Sequence, residues 1–111
     1  MSDLTTFAPR RLEFSAYALI DLEEIWLHFV EKSQKTAHKV LKQITDKCHQ
    51  ILEFPKIGLE RNEVLLSLRS MPSGKFIIFY QETDFGVEIV RVVHSSRNIE
   101  QVFDEMIPLK P

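Results

Sequence analysis

The chain reads as an α+β fold: an N-terminal strand, an antiparallel helical hairpin, a three-stranded antiparallel meander and a short C-terminal helix. Three observations predict it. Residues 16–53 carry apolar side chains at helical spacing, interrupted only at Ser33-Gln34. Residues 64–93 hold three runs rich in Val, Ile, Leu, Phe and Tyr, separated by Met71-Pro72-Ser73-Gly74 and Thr83-Asp84-Phe85-Gly86. The helical and strand patterns are segregated, so the hairpin packs on one sheet face.

Taken in order, Arg11-Leu12-Glu13-Phe14-Ser15 alternates polar and apolar and predicts a short strand. Ser15 stands where a helix N-cap is needed. From Ala16 to Lys32, Ala18, Leu22, Ile25 and Phe29 share one face, flanked by Leu19, Trp26 and Val30. Asp21, Glu23, Glu24, His28 and Glu31 lie mostly elsewhere, and the early acids suit the helix dipole. A second helix runs from about Lys35 to Glu53, with Ala37, Val40, Leu41, Ile44, Cys48, Ile51 and Leu52 as its stripe. Lys35, Lys39, Lys42, Gln43, Asp46, Lys47 and Gln50 take the solvated side. So short a link makes the two helices an antiparallel pair. Phe54-Pro55 ends the second, because the residue before proline avoids helical geometry. Strands are predicted at Val64–Arg69, Lys75–Gln81 and Val87–Val93, and a last helix at Ile99–Met106, ended by Pro108 and Pro111. The first strand is expected at the sheet edge, running opposite to the second.

A single domain over residues 1–111 fits this length, and 44% hydrophobic residues can build a core without disulfide or metal. The one cysteine, Cys48, allows no intramolecular disulfide and suits a reducing cytoplasm. Met1 to Pro9 lacks a basic head followed by an apolar run, so no secretory signal is expected, and no stretch approaches a membrane span. A net charge of −2 argues against a phosphate-gripping surface. His38 and His49 are 11 residues apart, too far for one metal ion. No glycine-rich phosphate loop, paired catalytic carboxylates or Ser–His–Asp pattern stands out, so no metal and no cofactor is expected.

The strands predicted at 75–81 and 87–93 are apolar on both faces. Strict alternation puts Phe76, Ile78 and Tyr80 on one side and Ile77 and Phe79 on the other. It likewise separates Ile89, Arg91 and Val93 from Val90, Val92 and His94. The hairpin covers one face. Leaving the other wet forgoes about 1.5–3 kcal/mol per large side chain. Either the C-terminal helix or a loop folds over it, or it is a groove for another chain. Phe76, Ile78, Tyr80, Ile89 and Val93 are the candidates to line such a groove. Arg91 at a strand centre is costly without a partner, and Glu63 and Glu88 are possible ones.

In this order and spacing, Phe14-Ser15, Ala18, Asp21-Leu22, Ile25, Leu52, Pro55, Gly58, Arg69, Phe76-Ile77-Ile78-Phe79-Tyr80, Ile89-Val90-Arg91-Val92-Val93-His94 and Arg97 resemble the RelE/ParE superfamily of type II toxin–antitoxin toxins. The likeness spans Leu12 to Phe103 and departs from the family at Ser95-Ser96, often Gly-Ala, and at Asn98, often Asp. The resemblance implies a growth-inhibiting toxin of a plasmid-stabilisation type of system, held inactive by a cognate antitoxin that wraps it in a hetero-oligomer and fills its apolar grooves.

The superfamily divides by target. RelE-like members cleave mRNA on the ribosome and need cations for the transition state and a group to move the 2′-hydroxyl proton. ParE-like members poison DNA gyrase without chemistry of their own. Arg69, Arg91 and Arg97 could form a cationic cluster, with His94 as base and Tyr80 beside Arg91. Against this, no Tyr or His follows His94, and the tail Glu100-Gln101-Val102-Phe103-Asp104-Glu105 is acidic. The ParE-like reading therefore leads, with Arg69, Tyr80, Arg91 and Arg97 as its functional surface. The ribosomal nuclease and an inactive partner-binding relative stand as alternatives.

Overall fold

The computed structural model describes residues 9–106. Within them the order is β1 (Arg11–Phe14), α1 (Ala16–Val30), α2 (Gln34–Glu53), β2 (Leu59–Glu60), β3 (Arg69–Ser73), β4 (Phe76–Thr83), β5 (Gly86–His94) and α3 (Ile99–Asp104). One sheet holds the strands in the order β1-β5-β4-β3-β2. Both long helices begin where side-chain oxygens satisfy first-turn N–H groups: Ser15 accepts from Ala18 N and Ser33 from Thr36 N. Pro108 and Pro111, expected to end the last helix, lie outside the described residues.

The N-terminal strand sits at the sheet edge as expected, paired in parallel with β5. Its direction relative to the next long strand differs from expectation. Each of the pairs β5–β4 and β4–β3 is antiparallel, so β3 runs parallel to β1. An extra reversal causes this. The chain first makes β2, then a loop closed by Arg61 N donating to Leu68 O at 2.8 Å, and only then enters β3. The strand expected from Val64 therefore begins at Arg69, because residues 64–68 are turns: Val64 N and Leu65 N both donate to Arg61 O. Val64 and Leu68 are apolar because they seal a core, not because they alternate on a sheet. Met71-Pro72-Ser73, expected as a turn, extends β3. Proline is tolerated there because β2 pairs only with Arg69 and Ser70, which leaves the outer side of Pro72 without a ladder partner. The turn shrinks to Gly74-Lys75, with Gly74 at φ 58.

Two apolar clusters sandwich the sheet. Beneath the hairpin lie Ala18, Ile25, Ile44, Cys48 and Ile51 with Ile78, Tyr80, Val87, Ile89 and Val92. On the other side Leu68, Phe79, Val90, Val93 and Val102 pack together, with Val64, Ile77, Ile99, Phe103 and Met106 at the margin. Alternation along β4 matches expectation, but along β5 it breaks. Tyr80 pairs with Ile89 and Phe79 with Arg91, so Val90 is an extra residue, a β-bulge. Val93 consequently faces away from Ile89 rather than beside it.

The second face is not left for another chain. α3 and the 61–68 loop, both from this chain, close over it. Asn98 caps α3 by accepting from Gln101 N at 3.0 Å. No helix among the described residues is long and apolar enough to cross a membrane.

Candidate functional site

Arg91 is placed by the end of β1. That strand stops at Phe14, so beyond Ile89 the edge of β5 has no strand beside it. α1 takes over the pairing. Ser15 N donates to Ile89 O (2.9 Å), Ser15 Oγ to Val90 O (2.7 Å), and Val92 N to Asp21 Oδ2 (2.9 Å). Arg91 then grips the same carboxylate, Nε to Oδ2 at 2.7 Å and Nη2 to Oδ1 at 2.9 Å. The pair is nearly dry, with side-chain exposures of 12% and 7%. Its guanidinium also lies 5.4 Å from the centre of the Tyr17 ring. The hydrogen bond to Asp21 holds the Arg91 pKa above its ordinary value. Its partner is thus Asp21 rather than Glu63 or Glu88. The sequence signal was present, an acid at position 21 on the inner side of a helix, but it reads equally as a favourable dipole charge.

Arg69 and Tyr80 face each other across β3 and β4, and both hold the connection after α2. The Tyr80 hydroxyl donates to Pro55 O and accepts from Gly58 N, each at 2.8 Å. Burial pushes its phenol pKa up. Arg69 Nη1 donates to Gly58 O (2.7 Å) and Lys56 O (3.3 Å), and Nη2 reaches Glu60 at 3.5 Å. Tyr80 does not meet Arg91, since the bulge sets it opposite Ile89.

His94 and Arg97 lie where β5 runs out. His94 Nδ1 takes the Ser96 backbone N–H at 3.1 Å and lies 2.8 Å from Ser96 Oγ. A neutral imidazole has one bare nitrogen, and the network assigns it to Nδ1. Nε2 then carries the hydrogen and can donate but not accept. His94 therefore serves the turn after β5, with Nδ1 engaged by Ser96. Edge-on ring contacts run from His28 to Phe29, Phe76 and His94, with centroid separations of 4.8, 6.4 and 5.6 Å. A cleft of about 240 Å³ adjoins them, lined also by Asp21, Glu24 and Arg97. Arg97 is exposed, and its side chain makes no hydrogen bond or ion pair among the described residues.

The three arginines are not brought together. One clasps α1 to β5, one staples the 56–58 turn, and one is open to solvent. Of the candidates for an apolar groove, Ile78, Tyr80 and Ile89 are fully buried beneath the chain's own hairpin. Phe76 packs at the margin of that core, and Val93 lies in the opposite one. Alternation on one strand could place these residues on a face but could not say which segment covers it.

A family model described as "ParE toxin of type II toxin-antitoxin system, parDE" matches residues 12–99. The chain belongs to the ParE toxin family. Among solved structures it is similar in fold to a chain of the chromosomal ParDE TA system from P. aeruginosa, with TM-score 0.66 and 18% identity. The alignment covers 77% of this chain and 95% of that one. No curated protein matches it. As a ParE-family toxin of a type II system, the chain has a cognate antitoxin as its implied partner. The family match ends at Ile99, where α3 begins.

Proposed function

We propose that this ParE-family toxin acts in the cytoplasm by inhibiting DNA gyrase, without chemistry of its own, and is neutralised when its antitoxin covers the acting surface. One observation carries the reading. The groups that RNA cleavage would require are already committed: Arg91 to Asp21, Arg69 to the 56–58 carbonyls, Tyr80 to Pro55 and Gly58, and the His94 lone pair to Ser96. Freeing Arg91 strands the buried Asp21 carboxylate, and freeing Tyr80 leaves the Gly58 N–H unpaired. A surface that binds a protein target needs no such set. Arg97, exposed at the end of β5 beside the His28–Phe76–His94 ring row, is a cation available to that surface.

Purified protein added to a gyrase supercoiling assay is expected to block supercoiling or to trap a cleaved complex. Unchanged topology together with transcripts cut within translated codons would replace this reading with ribosome-dependent RNA cleavage. Absence of growth arrest on induction without antitoxin would mark an inactive partner-binding relative.

A further inference from the structure

A net charge of −2 averages over faces that differ. Residues 32–50 hold Lys32, Lys35, Lys39, Lys42 and Lys47 against Asp46 alone, so the acidic excess of the chain lies wholly outside them. Buried Ala37, Ile44, Cys48 and Ile51 fix the inner side of α2. Steps of four and three residues then line Lys35, Lys39 and Lys42 along the opposite side, all exposed. A rise of about 1.5 Å per residue spreads them over roughly 10 Å, about the length of three phosphates on one DNA strand. Gln43 and Gln50 stand beside the row and, with Lys47, border a cleft of about 410 Å³ against the β3–β4 turn. Lys42 pairs with Asp46 at 2.7 Å, but both side chains are well exposed, and such a pair holds weakly. Lys35, Lys39 and Lys47 have no ion-pair partner among the described residues.

We infer that the outer face of α2 grips the phosphate backbone of duplex DNA. The chemistry of the face selects this occupant. Protein interfaces are anchored by aromatic and apolar side chains and are poor in lysine. Among the described residues no large exposed apolar side chain lies on α2, whereas Leu19, Ile20 and Leu27 stand on α1. Contacts to a nucleic-acid backbone are polar and cationic, as this face is. α2 contains no Phe, Tyr or Trp, so it offers no platform for unstacked bases and suits a closed duplex. A helix lying on a membrane inserts its apolar side into lipid, and that side of α2 is already buried against the sheet. DNA binding by this face is separate from the gyrase reading, because it needs no gyrase.

Titration of the purified chain into a fluorescein-labelled duplex of about 20 base pairs, followed by anisotropy, tests it. With about four phosphates neutralised, affinity is expected to fall roughly a hundredfold between about 50 and 200 mM salt. Lys35→Gln with Lys39→Gln should weaken binding at least about tenfold at the lower salt and make the log–log salt slope shallower by about two. The melting curve should not move, since both side chains are exposed. Lys56→Gln, a lysine off this face and held by Glu82, should leave binding as it is. Asp46→Asn should tighten binding, a gain that misfolding cannot produce. Absence of binding at low salt, indifference to salt, or an equal loss from Lys56→Gln would overturn the inference. So would a doubled sedimentation mass that the Lys35→Gln, Lys39→Gln variant abolishes, which would assign the face to the acidic α1 of a second copy, or lysine-dependent binding to anionic phosphatidylglycerol vesicles in place of the duplex. Failure here leaves the gyrase reading standing, and failure of the supercoiling assay with DNA binding retained would remove that reading alone.

Discussion

Asp21 satisfies three donors at once, two from the Arg91 guanidinium and one from the Val92 backbone. Removing the carboxylate strands a buried cation and a buried N–H together. Asp21→Ala is therefore expected to destabilise the protein by about 3–5 kcal/mol in urea unfolding. Arg91→Ala should cost a similar amount, and the double variant less than the sum, because the second change removes a group already stranded. Gly58 is constrained differently. A Cβ there would stand 2.6 Å from the Tyr80 hydroxyl and 2.8 Å from Ser70 O. Gly58→Ala must push Tyr80 off Pro55, leaving buried polar groups unpaired at about 1–3 kcal/mol. A shift in the urea midpoint of Gly58→Ala would check this. Asp21 and Gly58 matter through what reaches them from distant sequence, which no local pattern could disclose.

At the scale of the element, the 61–68 loop carries the one non-glycine residue with positive φ among those described, Ser67 at φ 66. The Asn62 side chain holds it there by accepting from Ser67 N at 2.9 Å. Ser67→Gly is expected to relieve the left-handed strain and raise stability by about 1 kcal/mol, read as a higher melting temperature. β4 supplies the opposite case. Ile78 lies beneath the hairpin, not on an open groove, so Ile78→Asp should abolish the cooperative unfolding transition rather than merely weaken a partner contact. The alternating pattern of β4 was legible in the sequence. The bulge at Val90 was not, because it reflects where α1 replaces β1 along the edge of β5.

For the whole molecule, the layers bury two groups that release protons only at alkaline pH. Burial raises the Cys48 thiol from 9.0 to about 12 and holds the Tyr80 phenol above its ordinary value. Both protons are bound more tightly in the folded than in the unfolded chain. Their contribution is full below the unfolded values, near pH 9 for the thiol and about 10 for the phenol, and is lost as pH rises through the folded ones. Urea midpoints should fall above pH 9, and Cys48→Ala should flatten the early part of that decline. In the proposed function it is the open end of β5 that meets the target. Arg97→Glu is expected to leave the melting curve unchanged and to reduce growth arrest on induction; unaltered arrest would remove Arg97 from the acting surface.

Periodicity and capping alone determined two helices over residues 16–53, their antiparallel pairing, the edge strand before them and two of the later strands, since these depend on spacing within a few turns of chain. The tertiary structure decided the rest. It turned Val64–Leu68 into a loop, drew Pro72 into a strand, matched Arg91 with Asp21 across 70 positions, and decided between self-closure and an open groove by folding α3 over the second face. Those outcomes follow from which surfaces meet. A sequence specifies a side chain's polarity and its place in the local period, whereas burial and partnership belong to a pair of segments and exist only once both are packed.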